Sequence, residues 1–339
     1  MSKRRIYLNL TLMSDKEVKY IQKAIYTNLI LLVQHTNTII KPVLVFIVIV
    51  IMSIFMQGCA HSLDSYFEEE EEERIVVDVI RKTATNIVNE CYFQNHYYPA
   101  QGIAINNKTL YRLYDTGICM TYDITDVNHP SLLSTFELKS RRAKNHCNCA
   151  QILQLDDDKV YLYIAGLSGK CFVEQITPYA STHIQTITLP KLDVFNSSQS
   201  LNIICGDDGY LWMFGESHEN QTLYFAKTHL PSIEEKEVVL SANDIVDLWC
   251  ESNYLYDQSV WQGGMIHDGY LFFVFGLNTD NKHIVVYDTT THKKEMDINL
   301  NGIVSEEPED CDLLLDGQIL LSINGGKGYY LIPFKHGMK

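Results

Sequence analysis

Beyond residue 74 the apolar residues come in short bursts rather than at helical spacing. In the run Ile118 to Ile124, the side chains Ile118, Met120, Tyr122 and Ile124 alternate with smaller or polar ones, the period of a strand with two unlike faces. No long amphipathic helix pattern interrupts this region. What recurs is a turn followed by a strand: Asn107-Lys108-Thr109-Leu110-Tyr111, Asp158-Lys159-Val160-Tyr161-Leu162, Asp208-Gly209-Tyr210-Leu211-Trp212, Asp268-Gly269-Tyr270-Leu271-Phe272 and Asp316-Gly317-Gln318-Ile319-Leu320. Their spacings are 51, 50, 60 and 48 residues. Asp-Gly and Asn-Lys between apolar runs are hairpin chemistry, because Gly and Asn accept the positive φ of tight turns.

Two of the repeats match over their whole length. Gln101-Gly102-Ile103-Ala104-Ile105 leads into one turn and Gln262-Gly263-Gly264-Met265-Ile266 into another. Each continues with a second strand, then a third ending in Tyr122-Asp123 or Tyr287-Asp288, and a fourth at Leu132 to Leu138 or Glu295 to Leu300. Four antiparallel strands in about 50 residues resemble a β-propeller blade, and the resemblance covers Arg74 to Phe334. It implies an all-β fold of about five four-stranded blades. Six or seven remain possible if the 60-residue interval, around Leu248 to Tyr256, hides further strands. The last unit lacks a fourth strand, so Arg74 to Ile80 is expected to complete it and close the ring. The resemblance implies nothing about activity, since propellers host many.

Ahead of this region lies one continuous apolar run, Val43 to Met56, fourteen residues preceded by seven basic residues. A basic flank, a short apolar core and a small residue at the break describe a helical export signal. The run is short of the ~20 residues that a spanning helix needs. Met56-Gln57-Gly58-Cys59 resembles the lipobox of bacterial lipoproteins, with Met56 and Gln57 departing from its commonest residues. The resemblance implies acylation of Cys59, for example with palmitate, and a membrane anchor. An uncleaved signal anchor is the alternative, and both readings put the chain beyond Cys59 outside the cytoplasm. The organisation expected is a leader over 1–58, a lipidated Cys and acidic tether over 59–73, and the propeller over 74–339. Glu68 to Glu73, six glutamates in a row, repel one another and stay solvated. The location expected is the outer membrane of the cell envelope, facing the periplasm or the surface.

Charge narrows the partners. The chain carries 27 basic and 42 acidic residues, −15 formally, and the part after Gly58 carries −20. Nucleic acid is therefore excluded as a general ligand, because phosphate backbones draw cationic surfaces. Eight cysteines lie beyond Cys59, an even number that permits disulfides. Their scatter through apparent core strands favours buried free thiols.

In a propeller the first strand of each blade lines a central channel, which places Gln101, Asn145, His146, Gln262, Glu307 and Glu309 at one channel face, with Asn148, Asn202 and Asp310 near them. Such polar groups from different blades converge as ligand sites do. The alternative is that they satisfy neighbouring backbone and cap strand starts. Glu306 to Asp310 is a carboxylate cluster of the kind calcium takes, and Cys147 with Cys149 suggests zinc. The cysteines are too closely spaced, with no second pair to match, and read better as small packing residues. No metal and no cofactor is assigned. The motifs His-Glu-x-x-His, Gly-x-Ser-x-Gly and the Walker loop are absent. The preferred function is a tethered propeller that binds or scaffolds a protein or glycan. The alternative is a carbohydrate-active hydrolase or lyase at the channel, with Glu307, Glu309 and His146 as acid and base groups. Catalysis is the less favoured of the two, because two acids on one strand do not straddle a sugar.

Overall fold

The computed structural model describes residues 80–141, 146–156, 159–166, 169–190, 202–205, 209–217, 222–252, 260–277 and 281–334. The apolar run Val43 to Met56, Cys59, the glutamate tether and Asn145 lie outside the described residues. Among the described residues no helix is long and apolar enough to cross a membrane.

Two strands, β1 (Arg81–Val88) and β2 (Glu90–Phe93), precede the first blade. That blade comprises β3 (His96–Asn106), β4 (Thr109–Tyr114), β5 (Ile118–Asp123) and β6 (Ser131–Glu137). The second holds β7 (Ala150–Asp156), β8 (Lys159–Gly166), β9 (Lys170–Thr177) and β10 (Ala180–Thr188). The third runs β11 (Asn202–Cys205), β12 (Tyr210–Ser217), β13 (Thr222–His229), then, after the short strand β14 (Glu237–Val239), β15 (Ile245–Ser252). The fourth is β16 (Trp261–His267), β17 (Tyr270–Phe275), β18 (His283–Asp288) and β19 (Lys294–Asn299). In the fifth, β20 (Glu307–Leu313), β21 (Ile319–Asn324) and β22 (Lys327–Ile332) are completed by β1. The fold is a five-bladed β-propeller. In each blade the second strand begins within one of the five recurring sequence units, at Thr109, Lys159, Tyr210, Tyr270 and Ile319. At Asp268-Gly269 both residues take positive φ (49° and 79°), the hairpin geometry that Asp-Gly encodes.

Among the described residues, the long interval between the third and fourth turns contains no extra blade. It carries β14, which leaves its own blade and pairs in parallel with β10, covering the outer edge of the second blade. The first strands touch in a closed circle: β3 with β7, β7 with β11, β11 with β16, β16 with β20, and β20 with β3.

Closure obeys the expected principle with a different segment. Arg81 stands opposite Leu331, Lys82 opposite Tyr330 and Thr83 opposite Tyr329, so the closing strand is Arg81–Val88. Ile80 precedes it outside any strand, and residues 74–79 lie outside the described residues. The sequence Arg-Lys-Thr-Ala-Thr-Asn-Ile-Val buries Thr83, Ala84 and Ile87 and exposes Arg81, Lys82, Thr85 and Asn86, as an outer strand with one wet face must. Lys82 pairs with Glu306 and lies over the Tyr330 ring, tying this strand to the start of β20.

Apolar clusters fill every gap between neighbouring blades. One, including Leu113, Cys119, Leu162 and Ile164, joins the first and second blades. Another runs through the second, third and fourth, where the Phe214 and Phe273 rings meet edge to face at 4.4 Å. The fourth and fifth blades share Phe272, Val274, Leu321 and Tyr330, and the fifth and first share Ile103, Tyr114, Leu320 and Tyr329. The seven described cysteines beyond Cys59 are free, and all but Cys250 are buried. Burial pushes the Cys171 thiol up to about 12, so it stays protonated and inert as packing.

Candidate functional site

Three of the five first strands carry the same irregularity at the same place. The register of β3 slips between Ala100 and Ile103, that of β16 between Trp261 and Gly264, and that of β20 between Pro308 and Asp310. Each slip is a one-residue bulge, which frees a residue from the ladder and re-aims its side chain. The residues concerned are Gln101-Gly102, Gln262-Gly263 and Glu309. Their strands begin at the same end of the ring, so the bulges set an amide, an amide and a carboxyl toward one mouth of the channel, each almost fully buried.

The glycine after each glutamine has its own cause. A Cβ on Gly102 would stand 2.6 Å from the Cys147 carbonyl oxygen, to which the Gly102 N–H donates at 2.8 Å. A Cβ on Gly263 would overlap Asp310 Oδ1. The repeated Gln-Gly therefore combines a mouth residue with a close approach between blades.

Asp310 is the hub below the mouth. It is fully buried, and its Oδ2 accepts from the backbone N–H of Ile103 at 3.0 Å and of Ala150 at 3.2 Å, while Oδ1 accepts from Cys311 at 2.9 Å. One carboxyl thus binds the first, second and fifth blades and abuts the fourth. Burial lifts its pKa well above the carboxylate range in spite of these donors. Two residues on, Asp312 repeats the device toward Ile105 and Leu313 at 2.6 and 2.8 Å, and burial pushes it up to about 7.

Of the predicted residues, the structure brings Gln262, Glu307 and Glu309 together, with His146 near Glu307; among the described residues no hydrogen bond joins the Gln101 side chain to them, and Asn145 lies outside the described residues. Gln262 Nε2 donates to Glu307 Oε1 and to the Gly276 carbonyl, each at 3.0 Å. Asn324 stands beside both Glu307 and Glu309 and favours their charged forms. Desolvation raises Glu307 above its usual range, against the favourable effects of Gln262, Asn324, His146 and Lys282. It raises Glu309 further, with the neighbouring Glu307 charge adding to it. His146 Nδ1 lies 3.1 Å from Asp115 Oδ1, which anchors the ring at the second blade's side of the mouth. Cys147 and Cys149 are completely buried, as packing residues are, and the Cys149 thiol donates to the Gly264 carbonyl at 3.3 Å. No group of three or more metal-ligating side chains forms among the described residues.

Several polar atoms at this end lack a partner. Gln101 is 2% exposed and its Oε1 accepts nothing; Asn148 Oδ1 is in the same position. Arg112 is fully buried, its Nη2 donating to Asn89 Oδ1 at 2.5 Å and the Ile323 carbonyl at 2.9 Å, while Nε and Nη1 have no acceptor. Buried groups left so are costly, which makes each a place where something else completes the bonding. Arg112, Asn89, Asp115 and Asn324 did not emerge from the sequence. An Arg within the apolar run Leu110-Tyr111-Arg112-Leu113-Tyr114, and an Asn at the end of Ile319 to Ile323, were the signals available.

The class these features define is a five-bladed propeller with a polar channel mouth. No protein-family model matches the chain, and no curated protein does. Among solved structures it is similar to an engineered GH43 glycoside hydrolase with endo-xylanase and exo-arabinofuranosidase activity, at 10% identity and a TM-score of 0.44, over 72% of this chain and 49% of that one. The chain thus spans about half the length of that enzyme. It is also similar to a glucose dehydrogenase, at 11% identity and a TM-score of 0.42 over 76% of this chain and all of that one. A third is the WD40 propeller domain of Doa1, at 7% identity and a TM-score of 0.40 over 75% and 88% of the two chains. Overlaps this loose carry no argument about activity.

Proposed function

We propose that this protein is an envelope lipoprotein, held to the outer membrane through lipid on Cys59, whose propeller binds a protein or glycan at the channel mouth. The observation that supports the binding reading is the triple bulge, which sets Gln101, Gln262 and Glu309 at corresponding places in the first strands of three blades, with Gln101 Oε1 unpaired. Pre-set polar groups that lack partners at a concave opening are what a ligand site offers before it is filled. The anchor rests on Met56-Gln57-Gly58-Cys59 after a short apolar run and a basic flank.

Hydrolysis is the competing reading, and the placement of Glu307 and Glu309 on the single strand β20 speaks against it. Glycoside cleavage sets two carboxyls about 5–10 Å apart on either side of a sugar. Two acids of one strand do not straddle a sugar without a third from another blade.

The binding reading is tested by replacing Gln262 and Glu307 with alanine and measuring complex formation in envelope extracts. Loss of a partner complex with unchanged circular dichroism is expected. Turnover of glycosides that disappears in Glu307→Gln would instead make the protein an enzyme. Labelling with a palmitate analogue should vanish in Cys59→Ala, and persistent labelling would remove the anchor.

A further inference from the structure

Ahead of the first blade the chain makes a ribbon with no counterpart among the described residues of the other four blades. β2 and the first residues of β3 form a hairpin in which Glu90 faces Pro99, Cys91 faces Tyr98, Tyr92 faces Tyr97 and Phe93 faces His96. Gln94 and Asn95 both take positive φ (49° and 65°), the tight two-residue turn of a twisted ribbon. In the order of strands, β2 lies on the inner side of β3, next to the channel. The part of β3 that it pairs with ends where β4 begins to pair, since Ala100 is already opposite Tyr114. The ribbon therefore stands above the mouth, on the rim given by the first blade.

Its two faces differ. Cys91 and Tyr98 point into the core shared by the first and fifth blades. Tyr92 and Tyr97 point the other way, 71% and 56% exposed. Large apolar side chains are seldom left so open in adjacent positions without a use. Tyr97 and Gln101 lie four positions apart on one strand, about 13 Å along it, with the bulge at Gln101 turning its side chain out of the plain alternation.

Aromatic rings above, and unsatisfied neutral amides below, form a combination with a defined chemical match. A pyranose offers a C–H face that packs flat on a phenol ring and a rim of hydroxyls that seek amide donors and acceptors. An acidic ligand suits this surface badly, because the chain carries −15 overall. We infer that the ligand is a neutral oligosaccharide, stacked on Tyr92 and Tyr97 and hydrogen-bonded at its inner end to Gln101 and Asn148. This rests on the reading of the mouth as a binding surface and assigns its ligand class. The length from Tyr97 to Gln101 accommodates a short run of sugar units. The ribbon supplies most of the apolar contact and the amides select hydroxyl geometry.

The test is calorimetric titration of the full-length protein with neutral hexaoses: cello-, xylo-, manno- and malto-hexaose. At least one should bind. Tyr92→Ala with Tyr97→Ala should weaken it at least tenfold, while Tyr92→Phe with Tyr97→Phe should retain most of the affinity, since stacking needs rings and not hydroxyls. Gln101→Ala should weaken it several-fold, with circular dichroism reporting that the fold persists. Binding that survives loss of both rings would overturn the inference, as would failure of all four sugars. If the sugars fail while a protein complex still depends on Gln262 and Glu307, the ligand class is wrong and the binding module stands. If Glu307-dependent cleavage of the sugars is seen, the binding module itself falls.

Discussion

A single methyl group is a sharp probe of the channel hub. At Gly102 it would run into the Cys147 backbone carbonyl, and at Gly263 into the Asp310 side chain that ties three blades together. Neither neighbour is free to yield, so Gly102→Ala and Gly263→Ala should each cost about 1–3 kcal/mol, the usual range for overpacking. Gly169→Ala provides the comparison, since its Cβ meets nothing and only the positive φ (66°) resists it, at a cost of about 1 kcal/mol. Urea melts of the three variants would check the order, and equal losses would contradict the close approach of blades. Asp312 gives a second residue-level expectation. Its pKa of about 7 in the fold lies above the ~3.9 of an unfolded chain, so the folded protein keeps a proton that the unfolded one releases. The associated stability is complete below about pH 4 and is lost as pH rises toward 7, by up to about 1.4 kcal/mol per unit. Asp310 and Glu309, raised further by burial, prolong the fall. Asp312→Asn loses an acceptor and some absolute stability, but it should flatten the decline between pH 4 and pH 7 in denaturant melts. An unchanged slope would show that Asp312 is ionised in the fold.

At the scale of strands, closure depends on one outer segment. Without Arg81–Val88 the β22 edge would be open, with its backbone groups available to another chain. Removal of residues 81–88 should therefore lower the melting temperature sharply and produce oligomers on size-exclusion chromatography; a stable monomer would mean that β1 is dispensable. This segment also marks the boundary of what the sequence displays. The five blades were legible because each repeats the same turn chemistry before a strand of alternating character. The closing strand was not, because Arg81, Lys82, Thr85 and Asn86 give it the polarity of a loop, whereas Ile75 to Val79 advertises a strand more loudly. Glu307 to Asp310 reads as a carboxylate cluster and forms the first part of β20, with Asp310 the buried carboxyl inside the ring. Gln101 and Gln262 were found through their repeated Gln-Gly. The bulges that aim them were hidden, being a property of register between two strands. Arg112 and Asn324 were missed for a related reason: nothing local distinguishes a polar residue that serves a neighbouring blade.

For the molecule as a whole, every blade contacts two others and each gap between blades holds an apolar cluster. An open array of repeats can fray from its ends, whereas a closed circle has no end from which to start. The three tryptophans allow a direct check, since Trp212 and Trp249 lie in the third blade and Trp261 in the fourth. Their fluorescence reports that sector alone, while circular dichroism reports all five blades. The two signals should give coincident transitions in denaturant, and an earlier fluorescence change would mean that the sector melts on its own. The pairing of β1 with β22 has a consequence for biogenesis. A ribosome makes the clasp's first half before the blades and its complement after them, so no folding intermediate that lacks β22 can be a finished ring. Until the last strand emerges, Thr83, Ala84 and Ile87 have no native surface to cover, and a carrier that shields them, or passage through a translocase while still extended, solves the same problem.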